Sequence, residues 1–477
     1  MKKLLLSLAL VCFGVGAYAQ EPVKTELNQY GQEVKSLPVD ASVQDGILVF
    51  QNKQANYKMW FDVRIQADAA VYFGAPDFCA KEIDGKSNTS HIGNGMSIRR
   101  ARFAVKAQLD KNWYGEIDTD WTSGMPEIKD AYVAFTGVKG MEVKAGNFKE
   151  NFSIQRNTTS RYLVFMERPM VSYLAPSRHL GINVKYSMPA LWVSAGAFGP
   201  ELEGAETQAA IEDGNKDYGL NCGMSYTGKI VYRPLHKMKD ASLHIGGAFS
   251  YRNPKTSSTD GYNAVRYSSR NTTGINRKKF LDTDAIQYLD HELAWTAELA
   301  GHWKGLRWEG AYIARLPYVD ASKSPLTDIT PAWGWYVQAG YLLFGGSQNY
   351  DAGGAKYTRV NAGKEWGDIE LCARIEYCDL NISKYCMGGS AYAYSLGLNF
   401  HVTRNVKFVI NYQYNDNDIF ANGKGAQDGT DKTAKNPFCT GYDAAGNVTK
   451  FPGDIAADSK SKGIDYHMLA CRFQVAF

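Results

Sequence analysis

Beyond its first nineteen residues the chain has no apolar run near the ~20 residues that a membrane-spanning helix needs, although 44% of its 477 residues are hydrophobic. A helical membrane crossing is excluded. Net charge is also scant, with 53 bases against 49 acids. Removing Lys2 and Lys3 with a leader lowers the surplus to two, too small to argue for nucleic acid as a partner. Histidine is scarce, and the eight residues at 91, 179, 236, 244, 291, 302, 401 and 467 are scattered. None has the Ser or Asp context that a catalytic set in a barrel wall or rim requires. Asp290-His291-Glu292 is the one acidic flank, and neighbours in a strand face opposite ways. The chain is therefore not read as an enzyme. Eight cysteines become seven once Cys12 leaves with the leader, and an odd number cannot pair completely. Cys222 and Cys471 fall on apolar faces, whereas Cys79, Cys386 and Cys439 fall in predicted loops where disulfides could form. Cys372, Cys378 and Cys386 lack the spacing of a zinc ribbon. No metal and no cofactor are expected.

What is present is alternation. The last stretch, Asp465–Phe477, places His467, Leu469, Cys471, Phe473, Val475 and Phe477 on one side, and Tyr466, Met468, Ala470, Arg472 and Gln474 on the other. Period two is the pleat of a β-strand. A terminal strand of this kind has an edge, and in lipid an edge must be paired, so it is expected to close on the first strand. That strand, about Lys58–Tyr72, sets Phe61, Val63 and Ile65 against Asp62, Arg64, Gln66 and Asp68. The next, about Ser97–Leu109, alternates Phe103 and Val105 with Arg100, Arg102 and Lys106. A third sets Ile117, Thr119 and Trp121 against Glu116, Asp118 and Asp120, so an acidic row stands beside a basic one. Repetition along the chain gives about sixteen strands, an even number that fits an all-β, transmembrane antiparallel β-barrel. The 30 tyrosines and 10 tryptophans suit its interfacial girdles. Residues 1–19, with Lys2 and Lys3, an apolar core and Ala17-Tyr18-Ala19, read as a signal peptide. Residues 20–56 read as a periplasmic extension, and residues 57–477 as the barrel in the bacterial outer membrane.

Link lengths support this reading, because barrels alternate short periplasmic turns with long outer loops. Two links break the rule. Thr122–Pro126 is short where a loop is due, and Gly345–Trp366 is long where a turn is due. The link Lys149–Leu180 is unusual in another way. It carries Lys149, Arg156, Arg161, Arg168 and Arg178 against Glu150 and Glu167, together with an apolar set from Tyr162 to Leu174. Such a loop suits folding into the barrel, where it would narrow the pore and present Arg side chains to solutes. The anion pathway is expected along Arg64, Arg100, Arg102, Lys106, Arg156, Arg161, Arg168 and Arg178, facing Glu116, Asp118 and Asp120. Bases and acids on the inward strand positions are about equal, so anion preference would come from this cluster rather than from the whole wall.

Arg64-Ile65-Gln66-Ala67-Asp68, Ser97-Ile98-Arg99-Arg100-Ala101-Arg102-Phe103 and Phe165-Met166-Glu167-Arg168 resemble the phosphate-selective porin O and P family. The resemblance implies a trimeric outer-membrane barrel passing small anions, with Arg100, Arg102 and Arg168 at a narrow eyelet. A general diffusion porin without anion preference is the nearest alternative. A surface or partner-binding barrel, suggested by the Gly/Asp/Asn-rich link Asp416–Ile464, is another. Small anionic solutes and outer-membrane lipid are the expected partners.

Overall fold

The structure is a computed structural model. It describes residues 25–44, 46–74, 78–83, 86–90, 92–202, 206, 222–256, 262–271, 274–277, 279–418, 420–421, 441–442, 448–450 and 465–477. The expected leader, Cys439 and most of the 416–464 link lie outside these residues, as does the side chain of Cys79.

Sixteen antiparallel strands form one closed barrel. They are β1 (Tyr57–Phe73), β2 (Gly95–Leu109), β3 (Trp113–Asp120), β4 (Glu127–Phe135), β5 (Met141–Lys149), β6 (Arg178–Ser187), β7 (Leu191–Phe198) and β8 (Met224–Tyr232). There follow β9 (Ala241–Asn253), β10 (Ile286–Trp303), β11 (Leu306–Val319), β12 (Ala332–Leu342), β13 (Asp368–Ser383), β14 (Cys386–His401), β15 (Val406–Asn417) and β16 (Tyr466–Ala476). β16 closes on β1, with Ala476 opposite Arg64 and His467 opposite Phe73. The strands turn an apolar row outward. Ile182, Ile230, Val337, Leu371, Leu396 and Leu469 are all exposed, as a lipid-facing wall requires. Outward rings run from strand to strand near the outer rim: Trp333 meets Tyr377 at 5.3 Å, Tyr377 meets Tyr392 at 4.5 Å, and Tyr414 meets His467 at 4.9 Å.

The segment before β1 is not free of the wall. Asp40–Gln44 and Ile47–Asn52 form a hairpin whose second strand pairs with the periplasmic end of β1, Val49 opposite Trp60 and Asn52 opposite Tyr57. Just above it, Phe477 and Val63 exchange backbone hydrogen bonds of 3.0 and 2.6 Å. The chain's last residue and the hairpin thus share one edge of β1.

The parity of link lengths holds with three departures rather than two. The β3–β4 link is short and the β12–β13 link, residues 343–367, is long. The third is the β13–β14 link, only Lys384-Tyr385, because both strands continue beyond the wall as a projecting hairpin with Ser383 opposite Cys386. Cys386, expected in a loop, is therefore a buried strand residue.

Three segments fold into the cylinder. The β5–β6 loop (residues 150–177) enters from the outer side. It holds a single helical turn, Ile154–Asn157, capped by Ser153, and two 3-10 turns, Ser160–Tyr162 and Met170–Tyr173. The β9–β10 link crosses the outer mouth above it. Its Asn276 N–H donates to the Tyr72 hydroxyl at 3.1 Å on β1, and its Ser269 hydroxyl donates to the Met170 carbonyl at 3.3 Å. Residues 343–367 enter from the periplasmic side as a small hairpin, Tyr350–Asp351 against Lys356–Tyr357.

Candidate functional site

The β5–β6 loop is held by both faces of its chemistry. Phe152, Met170, Val171, Leu174 and Ala175 are buried with Ala294, Ala311, Ile313 and Tyr336 of the inner wall. Val164 and Phe165 pack on Cys372. Wall side chains then satisfy the loop's backbone, which irregular chain in a barrel interior demands. Arg307 donates to the Tyr162 carbonyl at 3.1 Å, Lys407 to Leu163 at 2.9 Å, Asn399 to Val164 at 2.8 Å, Arg472 to Met166 at 2.5 Å and Arg374 to Glu167 at 3.0 Å. Glu298 accepts from the Ile154 N–H at 2.7 Å, and Glu376 from that of Met170 at 2.5 Å. Seven inward side chains from β10, β11 and β13–β16 thus fix the loop.

The infolded periplasmic segment supports the same loop from below. Ile154 packs with Tyr357 and Tyr350. Tyr357 donates its hydroxyl to the carbonyls of Gly301 (2.6 Å) and Trp308 (2.9 Å), and the Arg307 guanidinium lies 3.8 Å from its ring centre. His244 joins the Tyr350 hydroxyl at 2.7 Å to Glu298 at 2.9 Å. The same Glu298 pairs with Lys229.

The space left lies along β1–β6. An outer vestibule of about 250 Å3 lies beside the short β3–β4 link, lined by Arg99, Arg168, Thr122, Lys129 and Tyr173 among others. An inner chamber of about 570 Å3 continues toward the periplasm. Arg102, Arg156 and Arg178 belong to both, and so mark the neck between them. The vestibule is lined by seven bases and three acids, the chamber by ten bases and six acids.

Each expected site residue can be placed by what its charge meets. Arg102 reaches Asp120 at 3.0 Å and Asp118 at 3.5 Å, and Lys106 reaches Asp62 at 2.9 Å and Glu116 at 3.4 Å. These follow the register that sets Arg102 opposite Asp120 and Lys106 opposite Glu116. Arg178 is bidentate to Asp130, at 3.1 and 2.7 Å, and Arg161 pairs with Asp62. Arg100 is buried, donating to Gln66 at 2.7 Å, with Glu167 at 3.6 Å. Arg64, Arg156 and Arg168 differ. Arg64 donates to the Ser160 hydroxyl at 2.9 Å, Arg156 to the carbonyls of Ser172 (2.7 Å) and Ala175 (3.1 Å), and Arg168 to those of Gln155 and Thr158, both at 2.7 Å. None of the three has a carboxylate within 4 Å among the described residues. Burial pulls Arg156 down to about 10, and burial with Arg156 as neighbour pulls Arg168 down to about 9; both remain cations at neutral pH. Glu116, Asp118 and Asp130 bring carboxylate oxygens within 4.8 Å of one another. Each is matched by a base already named, which leaves little surplus negative charge to hold a metal ion.

Two residues escaped the sequence reading. A bulge sets Gln66 opposite Arg100 and Ala67 opposite Ile98, so β2 turns two consecutive arginines inward. Arg99 then clasps Glu167 at 2.7 and 3.1 Å. Burial alone would raise the Glu167 carboxyl, but Arg99, Arg100 and Arg472 hold it well below its usual value. Lys149 is the second. It was read as part of the long link but not singled out, and its ammonium donates to the Arg156 carbonyl at 3.3 Å, with no carboxylate within 4 Å among the described residues.

Residues 71–433 match the family described as phosphate-selective porin O and P. The chain belongs to that family. A relative, Porin O of Pseudomonas aeruginosa, is 25% identical over 398 residues, covering 77% of this chain and 84% of that one. Among solved structures, an anion-selective porin from Comamonas acidovorans aligns with a TM-score of 0.47 at 11% identity, over 88% of this chain and 100% of that one. The outer-membrane channel DcaP of Acinetobacter baumannii aligns at 0.47 and 10% identity, over 90% and 99%. The protein is an outer-membrane porin with a β-barrel fold.

Proposed function

We propose that this porin passes small anions, phosphate among them, by passive diffusion through the Arg-containing neck. The observation that carries the reading is that Arg64, Lys149, Arg156 and Arg168 line the passage and hold hydroxyls or carbonyls rather than carboxylates. A base beside a carboxylate presents a dipole, whereas the three arginines present net charge, concentrated by the low-dielectric wall. Their hydrogen bonds hold each group in place without cancelling it. The Nε–H groups of Arg64 and Arg156 remain without a protein acceptor, and guanidinium donors suit the oxygens of phosphate. The neighbouring paired bases limit the surplus, so an anion enters without being trapped. The passage is read as a channel rather than an enzyme. Residues 1–19 direct export and are removed, residues 20–56 remain in the periplasm, and the barrels associate as trimers.

Reversal potentials in a chloride gradient test the sign, repeated with added phosphate. Anions are expected to be favoured over potassium and phosphate to reduce the chloride current. A potential favouring potassium overturns the anion reading. Equal permeability identifies a general diffusion porin.

A further inference from the structure

The outward apolar side chains of the sixteen strands are accounted for by the lipid they face. The N-terminal hairpin lies outside those strands and carries an apolar face of its own. It sets Ala41 opposite Phe50 and Val43 opposite Leu48, and residues directly opposite in a ladder share a face. Val43 is 74% exposed and Leu48 43%. The reverse face differs. Val49, opposite Trp60, is buried. Gln44 donates to the Ser42 hydroxyl at 3.0 Å and accepts from Lys58 at 3.2 Å. Trp60 lies 6.0 Å from Tyr114, which lines the inner chamber, so this reverse face looks inward. The hairpin therefore sorts its residues in the same sense as the wall.

Ring contacts tie the apolar face to the lipid-facing wall. Phe50 meets Phe61 of β1 edge-on at 6.1 Å, and Phe61 stacks on Phe103 of β2 at 5.5 Å. Phe103 is an outward wall residue, and Phe477, also exposed, stands just above the hairpin on the same edge of β1. The surface formed by Ala41, Val43, Leu48 and Phe50 is thus continuous with the face that the barrel presents to lipid. None of these positions carries a charge. A segment that is apolar on one side and polar on the other, placed where a membrane ends, is suited to lie in the interface with its apolar side buried.

We propose that the N-terminal hairpin docks on the periplasmic leaflet of the outer membrane, with Val43, Leu48 and Phe50 seated among phospholipid chains just beneath the headgroups. The extension stays on the periplasmic side, and its residues 40–52 become the part of it that touches lipid. The full-length porin in nanodiscs of tritiated phosphatidylethanolamine tests this, with the photoreactive residue p-benzoylphenylalanine placed at one position at a time. Val43 and Leu48 are exposed, so each accepts the probe without disturbing packing. Phe103 serves as the wall reference and Ser42 as the inward one. On irradiation the Val43 and Leu48 variants should take up tritium at a level near that of the Phe103 variant, and about fivefold above that of the Ser42 variant, because alternate residues of a strand face opposite ways. The proposal is overturned if uptake at Val43 and Leu48 falls to that at Ser42. It is equally overturned if irradiation joins two chains into a species of twice the mass, which would put a second copy of the porin on this face. The label is read independently of ion selectivity, so the anion reading stands or falls by its own measurement.

Discussion

The two halves of the barrel interior obey the same alternation and end differently. Along β2–β6 the inward side chains Lys106, Glu116, Lys144, Lys149 and Arg178 stay partly exposed and border the inner chamber, where Lys106, Glu116 and Arg178 pair across strands. Along β10–β16 the inward side chains Glu298, Glu309, Arg374, Glu376 and Arg472 are at most 5% exposed and are bonded to the backbone or side chains of the infolded β5–β6 loop. Period two tells which side chains leave the lipid. Whether they then meet water or protein depends on what else enters the cylinder. A charge in the first half tunes a field, and a charge in the second half holds a structure.

The contrast can be broken most severely in the filled half. Glu298→Ala should remove the partner of buried Lys229, His244 and the Ile154 N–H together. Breaking a buried ion pair costs about 3–5 kcal/mol, so a large fall in unfolding free energy in detergent is expected. If stability is unchanged, the filled half is not structural in this sense. Tyr357→Ala should cost about 3 kcal/mol through lost packing on Ile154 and Arg307 and should add noise to the open-channel current. Tyr357→Phe, which keeps the ring, should cost about 1 kcal/mol and leave the current quiet. In the open half, Arg156→Ala and Arg168→Ala should each cost about 1–3 kcal/mol, because each leaves two buried loop carbonyls without their donor. Each should lower the anion-to-potassium permeability ratio about fivefold, the equivalent of ~1 kcal/mol between charges in water. The smallest effect is expected at Glu142, which meets Lys185 at 3.2 Å and Lys144 at 3.5 Å. Glu142→Gln should change stability by less than about 1 kcal/mol, as for partly exposed pairs, while raising the anion ratio slightly. A stability loss there matching that of Glu298→Ala would erase the distinction.

The wall was legible because each strand repeats one signal. Phe103 against Arg102 and Leu469 against Arg472 reveal which face meets lipid, and sixteen such runs make a cylinder. The inward fold of the β5–β6 loop was legible from its apolar set, since Met170, Val171 and Leu174 need a wall to pack on. Arg99 was not legible, because alternation places it outward and one bulged residue reverses that. The roles of Arg374 and Arg472 were also hidden. Nothing in a strand's own sequence says that a carbonyl from 200 or 300 residues away will arrive at its guanidinium. The infolding of residues 343–367 was flagged only as an excess of length, for Tyr350 and Tyr357 read equally well as girdle residues. The short β3–β4 link was an anomaly of spacing, and its position beside the outer vestibule became visible only in three dimensions.

The shared edge of β1 has a bearing on assembly. Phe477 stops at Val63, and the N-terminal hairpin takes the next positions with Val49 at Trp60. A slide of β16 by one pleat repeat toward the periplasm would carry Phe477 onto ground held by Leu48 and Val49. Alignments of the final seam that slide toward the periplasm are then incompatible with a seated hairpin, so a stretch outside the sixteen-strand wall serves as a mechanical end-stop in that direction.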